Sequence, residues 1–275
     1  MFSILIPTYN NINYLKICID SIKKNSKFNH QIIVHINEGS DGTIDYVKSE
    51  KLLHTYSKEN IGMPKALNTA SKLSTNEYIL ISHDDFYYCP NWDFEFFHEI
   101  KKMTDNKFYL SGTMVGAGQV PFDAGESYVN FNEKKLLENL DKIKTFNFQG
   151  STKCPGLVHK DIWKLVGGWS EEFSPTGGDD TDFAMKLWVS NVRIFKGLGK
   201  CSAYHFGSVT TRKKDKKLFT YLGSRGNKIF LKKWGYSINF FERYYLKSGL
   251  DNNKELIFNE YKKPLSNPTR DFNFY

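Results

Sequence analysis

The sequence predicts an α/β protein: a mostly parallel central sheet flanked by helices, followed by a basic, partly helical C-terminal extension. Three observations lead there. The first hundred residues alternate short β-rich runs with helically spaced apolar residues, the pattern of strands joined by crossover helices. Polar loops follow three of those apolar runs, where α/β sheets bind their ligands. The basic excess is confined to one late segment.

FSILI (2–6) reads as a first buried strand. Ile12, Leu15, Ile19 and Ile22 then recur at helical spacing, with Asn10 or Asn11 placed to cap the helix. IIVHI (32–36) is a second strand, and the turn-rich loop 37–43 opens another helix. LLHTYS (52–57) reads as a third strand, and Pro64 suits the first turn of a helix through Ala66, Leu67 and Ala70. YILIS (78–82) is a fourth, ending at His83-Asp84-Asp85. From about residue 105 the pattern loosens. Residues 108–115 are strand-like, 116–127 form a loop, and 155–159 lead into a short helix that stops at Gly167-Gly168. Gly178-Asp179-Asp180-Thr181-Asp182 precedes a helix through Phe183, Leu187 and Trp188, and 192–195 and 202–205 read as two short strands.

At 275 residues, 40% hydrophobic and 25% charged, the chain suits one α/β domain, or one domain with a subdomain. No run approaches the roughly 18–20 apolar residues of a membrane span. The N-terminus lacks the basic start and apolar core of a signal peptide. Cys18, Cys89, Cys154 and Cys201 form no CxxC pair, which argues against a zinc site or a disulfide framework and points to a reducing cytosol. Residues 1–207 hold 23 Lys and Arg against 24 Asp and Glu, whereas 208–249 hold 11 against only Asp215 and Glu242. Such a patch attracts anions, whether nucleotide diphosphate, acidic glycan, lipid headgroup or nucleic acid, or is simply a solvated helix face. Its Leu218, Tyr221, Leu222, Ile229, Phe230, Leu231 and Trp234 favour a helix packed on the domain over a tail that binds nucleic acid.

Chemistry concentrates in a few places. Residues 7–10 (Pro7, Thr8, Tyr9, Asn10), 37–43 and 83–85 follow three apolar strands. Glu38 could accept hydrogen bonds from a nucleobase or ribose, while helix capping remains the alternative for Asn11 and Asp41. Adjacent acids repel, so Asp84-Asp85 suggests a cation, and oxygen ligands suit Mg²⁺ or Mn²⁺ bound to a diphosphate. Asp85 could instead cap a helix beginning near Pro90. In the second cluster Asp179 or Asp180 could take the proton of an attacking hydroxyl, or merely cap a helix. His205, at the end of an apolar strand, is either structural or a ligand.

Four ordered blocks carry a resemblance: Ser3–Asn10, residues 37–43, Asn60-Ile61-Gly62 with Lys65 and Asn68, and residues 167–173 followed by Gly178-Asp179-Asp180. Over about 2–207 the chain resembles the family 2 glycosyltransferases, inverting enzymes of the GT-A fold. The resemblance implies a nucleotide-sugar-binding half (1–105), an acceptor-binding and catalytic half of the same domain (106–207) and a basic extension (208–275). It places Pro7, Thr8, Tyr9, Glu38, Asn60 and Gly62 against the nucleotide, and gives Asp180 the base role and Asp179 a part in acceptor binding. Asp84 aligns with the last metal-contacting Asp of the family motif, while Ser82 replaces the first. His205 corresponds to a metal-binding His on a late strand, and Lys65, Arg212 and Lys213 are candidates to hold the departing phosphates. The implied reaction is hexosyl or related transfer from a UDP-linked sugar, with Mn²⁺ or Mg²⁺, to a glycan, lipid-linked or protein acceptor. It entails no nucleic acid, and the basic segment would contact a membrane peripherally. The competing expectations are an inactive GT-A-like glycan- or anion-binding protein, and a sugar nucleotidyltransferase.

Overall fold

Burial on both faces makes β1 (Phe2–Tyr9) the middle of the parallel half: Phe2, Ile4, Leu5 and Ile6 are all inaccessible, as strands covered by helices on both sides must be. The computed structural model describes residues 1–207, 209 and 215–248. After β1 come α1 (Ile12–Asn25), β2 (Gln31–Asn37), α2 (Thr43–Ser49), β3 (Leu53–Ser57), α3 (Met63–Ser71) and β4 (Tyr78–Ile81). α1 buries Leu15, Cys18, Ile19 and Ile22, the apolar stripe its spacing predicts. β3, β2, β1 and β4 pair in that order and all in parallel.

The second half reverses direction. β5 (Phe86–Tyr88), α4 (Trp92–Ile100), β6 (Phe108–Gly116), α5 (Glu133–Leu137), β7 (Phe148–Gln149), β8 (Gly156–His159), α6 (Lys160–Val166), α7 (Asp179–Val189) and β9 (Ile194–His205) follow. Among the described residues the sheet has nine strands in the order β3-β2-β1-β4-β8-β6-β9-β5, with β7 also on β9. β8 runs antiparallel to both β4 and β6, so the late strands extend the same sheet.

Two expectations change. The strands expected at 192–195 and 202–205 are one strand, β9. Its pairing with β6 jumps from Ser111 opposite Gly197 to Thr113 opposite Ser202, and Thr113 Oγ1 donates to Leu198 O at 2.9 Å across the jump. The polar stretch that splits the pattern is thus a bulge. Second, the helix expected near Pro90 is present, but the strand β5 separates it from Asp85. α4 starts at Trp92, and Asp85 caps no helix.

Beyond the sheet, α8 (Lys216–Trp234) and α9 (Ile238–Phe240), which runs into a wide turn at Phe241–Tyr245, fold back on the domain. Leu222, Phe230, Phe241 and Tyr245 are buried, whereas Phe219 and Leu231 stay exposed. The helix expected in the basic segment is therefore packed along one face only. Among the described residues no helix is long and apolar enough to cross a membrane.

Candidate active site

Because β2, β1 and β4 are parallel neighbours, their following loops meet at one sheet edge. Asn37 ties them together. Its buried amide donates to Thr8 O at 3.2 Å, and its Oδ1 accepts from Ile61 N at 2.9 Å. The Asn60-Ile61-Gly62 turn is thereby brought beside Pro7-Thr8-Tyr9. Gly62 has φ +82°, and a Cβ there would lie 2.5 Å from Pro175 Cα, so only glycine fits this approach. Glu38 is partly exposed, and side-chain hydrogen bonds from Asn10 and then Ser40 hold its carboxyl below the usual range. Glu38 in turn raises the Tyr9 phenol. Asp41 accepts from Ile12 N at 2.8 Å and Thr43 N at 3.1 Å, so it caps two helices, as the capping alternative held. Asn11 makes no side-chain cap bond, and Lys65 is exposed on α3. Arg212 and Lys213 lie outside the described residues.

The acids after β4 separate into two environments. Asp84 accepts from Thr8 Oγ1 at 2.7 Å, and burial followed by the charge of Asp85 pushes its carboxyl up to about 7. Burial would raise Asp85 as well, but His205, His83 and the Val209 N–H outweigh it and hold Asp85 at about 2. His205 reaches Asp85 because β9 pairs antiparallel with β5, setting Phe86 opposite His205. His205 Nδ1 lies 2.6 Å from Ala117 O, a carbonyl that can only accept, so this nitrogen carries the proton. Its Nε2 then faces Asp85 Oδ2 at 3.4 Å. Two electron-rich atoms so placed need a proton or a cation between them. His83 Nδ1 stands 3.9 Å from the other Asp85 oxygen. Ligand atoms of His83, Asp85 and His205 lie within 4.8 Å of one another, and two imidazoles with a carboxylate suit a divalent transition ion. The residues present therefore fit a metal.

The second acid pair opens α7. Asp179 Oδ1 accepts from Gly177 N at 3.1 Å, and its Oδ2 accepts from Thr176 Oγ1 at 3.1 Å, so it faces back into its own loop. Asp180 accepts from Thr181 N at 2.8 Å and pairs with Lys153 Nζ at 2.7 Å. Burial would raise Asp180, but Lys153 outweighs it and the carboxyl sits low. Asp180 and His83 lie within electrostatic reach, each shifting the other's proton affinity. Burial, then Asp180, push Asp179 up to about 7. The folded protein therefore holds this proton between about pH 4 and 7, where the unfolded chain has released it. Stability is lost as pH rises through that window and stays low above it. Asp179→Asn should then melt above the wild type at pH 8 and converge with it near pH 4; an equal offset at both values would contradict this.

Neighbouring elements brace this loop. Asn68 donates to Trp169 O at 2.8 Å and accepts from Trp169 N at 2.9 Å, which accounts for the Gly167-Gly168-Trp169 block. Gly226 of α8 is pressed against it, for a Cβ there would overlap Gly177 O. Trp234 Nε1 donates to buried Asp182 at 2.7 Å, and Arg225 donates to Glu172 O at 2.8 Å. Lys153 and Glu242, both in this neighbourhood, are absent from the sequence-based set.

The sequence profile described as Glycosyl transferase family 2 matches residues 3–155, more than half of the chain. The chain belongs to that family. An uncharacterized glycosyltransferase of Rickettsia typhi is 40% identical over 203 residues, 70% of this chain and 59% of the relative. One of Rickettsia prowazekii matches equally. This family 2 chain thus spans about three-fifths of the length of those relatives. Among solved structures, Staphylococcus aureus TarS 1–349 superposes with TM-score 0.57 at 18% identity, covering 91% of this chain and 76% of TarS. TarS 1–349 in complex with UDP-GlcNAc gives 0.54 at 16% identity, with the same coverage. The mannosyltransferase PcManGT of Pyrobaculum calidifontis, in complex with GDP-Man and Mn²⁺, gives 0.52 at 16% identity, covering 74% of this chain and 56% of that one. These likenesses are of fold, and they agree with the expected GT-A architecture.

Proposed function

We propose that this family 2 chain transfers a sugar from a nucleoside-diphosphate sugar, a UDP-sugar first, to an acceptor hydroxyl with inversion. One observation carries the reading: the metal-capable cluster of His83, Asp85 and His205 lies within electrostatic reach of the Asp180 carboxylate through His83. A carboxylate that removes a proton and a cation site for a departing diphosphate are the two things the reaction needs. The Asn37-anchored edge formed by Thr8, Tyr9, Glu38, Asn60 and Gly62 supports nucleotide binding, and Asp84, bound to Thr8 and next in sequence to Asp85, is the candidate further ligand. Asp180, ionised at neutral pH, takes the proton of the acceptor hydroxyl, which attacks the anomeric carbon as the diphosphate leaves from the opposite face. A bound Mn²⁺, favoured over Mg²⁺ by the two imidazoles, would neutralise the diphosphate.

The test is a thermal-shift screen of UDP-GlcNAc, UDP and GDP-mannose with and without Mn²⁺, followed by assay of diphosphate release. A nucleotide at about 100 times its Kd should stabilise the protein by about 2.7 kcal/mol. Stabilisation without release would favour a binding protein. No response to any nucleotide, with or without Mn²⁺, would sink the transferase reading.

A further inference from the structure

Lys153 ends a stretch without regular structure after β7, and Glu242 lies in the wide turn after α9. The two segments are locked together. Gln149 Nε2 donates to Leu246 O at 3.3 Å, and a Cβ on Gly150 would lie 2.5 Å from that same oxygen. Tyr245 and Phe241 pack edge-on against Trp188 of α7, the helix that opens with Asp179 and Asp180. Thr181 Oγ1 donates to Glu242 Oε1 at 3.1 Å while Thr181 N donates to Asp180. One ammonium therefore serves three carboxylates, Asp180 by direct contact and Glu242 and Asp179 through the field.

We propose that Lys153 and Glu242 are positioning residues for Asp180. Lys153 fixes the base carboxylate in its ionised form, and Glu242, supplied by the C-terminal segment, holds Thr181 and competes for the same ammonium. The inference rests on Asp180 being the base. The charged and titratable groups around Asp180 are Lys153 before β8, Asp179 on its own helix, Glu242 in the last turn and His83 beyond β4, together with the buried Tyr109 of β6 and Cys154, both of which burial keeps protonated. Removing Lys153 leaves three carboxylates facing one another, so Asp180 should take up a proton far more readily. Removing the charge of Glu242 leaves Lys153 undivided and should make Asp180 release its proton more readily. Burial already pushes Glu242 above the usual carboxyl range, in keeping with an acid that Lys153 only partly neutralises.

The test is a carboxyl ¹³C titration of the full chain with labelled aspartate, the Asp180 resonance being identified by its loss in Asp180→Asn. Lys153→Ala should move its midpoint up by about 1–3 pH units, the usual effect of losing a close opposite charge. Glu242→Gln should move it down, and Lys153→Arg should restore it. In UDP-GlcNAc hydrolysis with Mn²⁺, Lys153→Ala should move the acidic limb of the kcat–pH profile up by the same amount, about 1–3 pH units, lowering kcat on that limb with little change in KM. Lys153→Met, which keeps the side-chain length, serves if the alanine variant does not fold. An unmoved midpoint in both Lys153 variants, or a moved midpoint with an unchanged kcat–pH profile, overturns the inference. Should Asp180→Asn hydrolyse donor normally, the base assignment fails instead.

Discussion

Asp180→Asn should bind UDP as the wild type does and transfer sugar roughly 10²–10⁴-fold more slowly, the usual scale for losing a general base. The amide keeps the shape and the Thr181 contact but cannot accept the proton. The neighbouring acid makes the comparison informative. Asp179 is turned into its own loop by Thr176 and Gly177 and is pushed up to about 7, so near neutrality it carries a proton much of the time. Asp180 is held low by Lys153 and is ready to accept one. Normal turnover in Asp180→Asn with a dead Asp179→Asn would exchange the roles. Activity in both would reduce the cluster to a helix start.

Loss of the cation cluster should act on binding first. Asp85→Ala or His205→Ala should weaken UDP affinity in Mn²⁺ by about 2–5 kcal/mol, the cost of truncating one member of a buried charged contact. Calorimetry with and without EDTA measures it. In EDTA the variants and the wild type should converge, because the groups they lack then have nothing to hold. Asp84→Ala asks whether the Thr8-bound carboxylate joins them: a comparable loss makes it a fourth ligand. Equal UDP affinity in Mn²⁺ and in EDTA would remove the metal from the proposal altogether.

Much of this was legible because it is local. Apolar runs gave away β1, β2 and β4, and the polar loops at their ends coincide at one edge because parallel strands leave them no other place. Pairing information was not legible. Residues 196–200 break the strand pattern, yet Lys196 and Gly197 pair with β6 on one side and β7 on the other, and β9 runs on through the bulge that follows. β5 is three residues long, too short to signal against the acids before it. In the site, the doubled acids announced themselves, but which acid of the first pair joins the metal-capable cluster depends on a His that arrives from β9. Lys153 carried no signal, being one lysine in an irregular stretch. Glu242 did carry one: apart from helix-capping Asp215, it is the lone acid in a basic segment, and lone opposite charges usually have partners.

The contact between Gly226 and Gly177 bears on how the molecule is made. Strands β1 to β4 find their parallel partners among themselves, so this half of the sheet can begin to pair while the rest of the chain is still being synthesised. The loop bearing Asp179 and Asp180 emerges next, but the helix it leans on comes later still. A nascent chain stalled before residue 216 would carry Asp179 and Asp180 with their contacts to Gly177 and Lys153, but without the helix against which their loop is packed. A helix made late thus closes the packing around a loop made well before it.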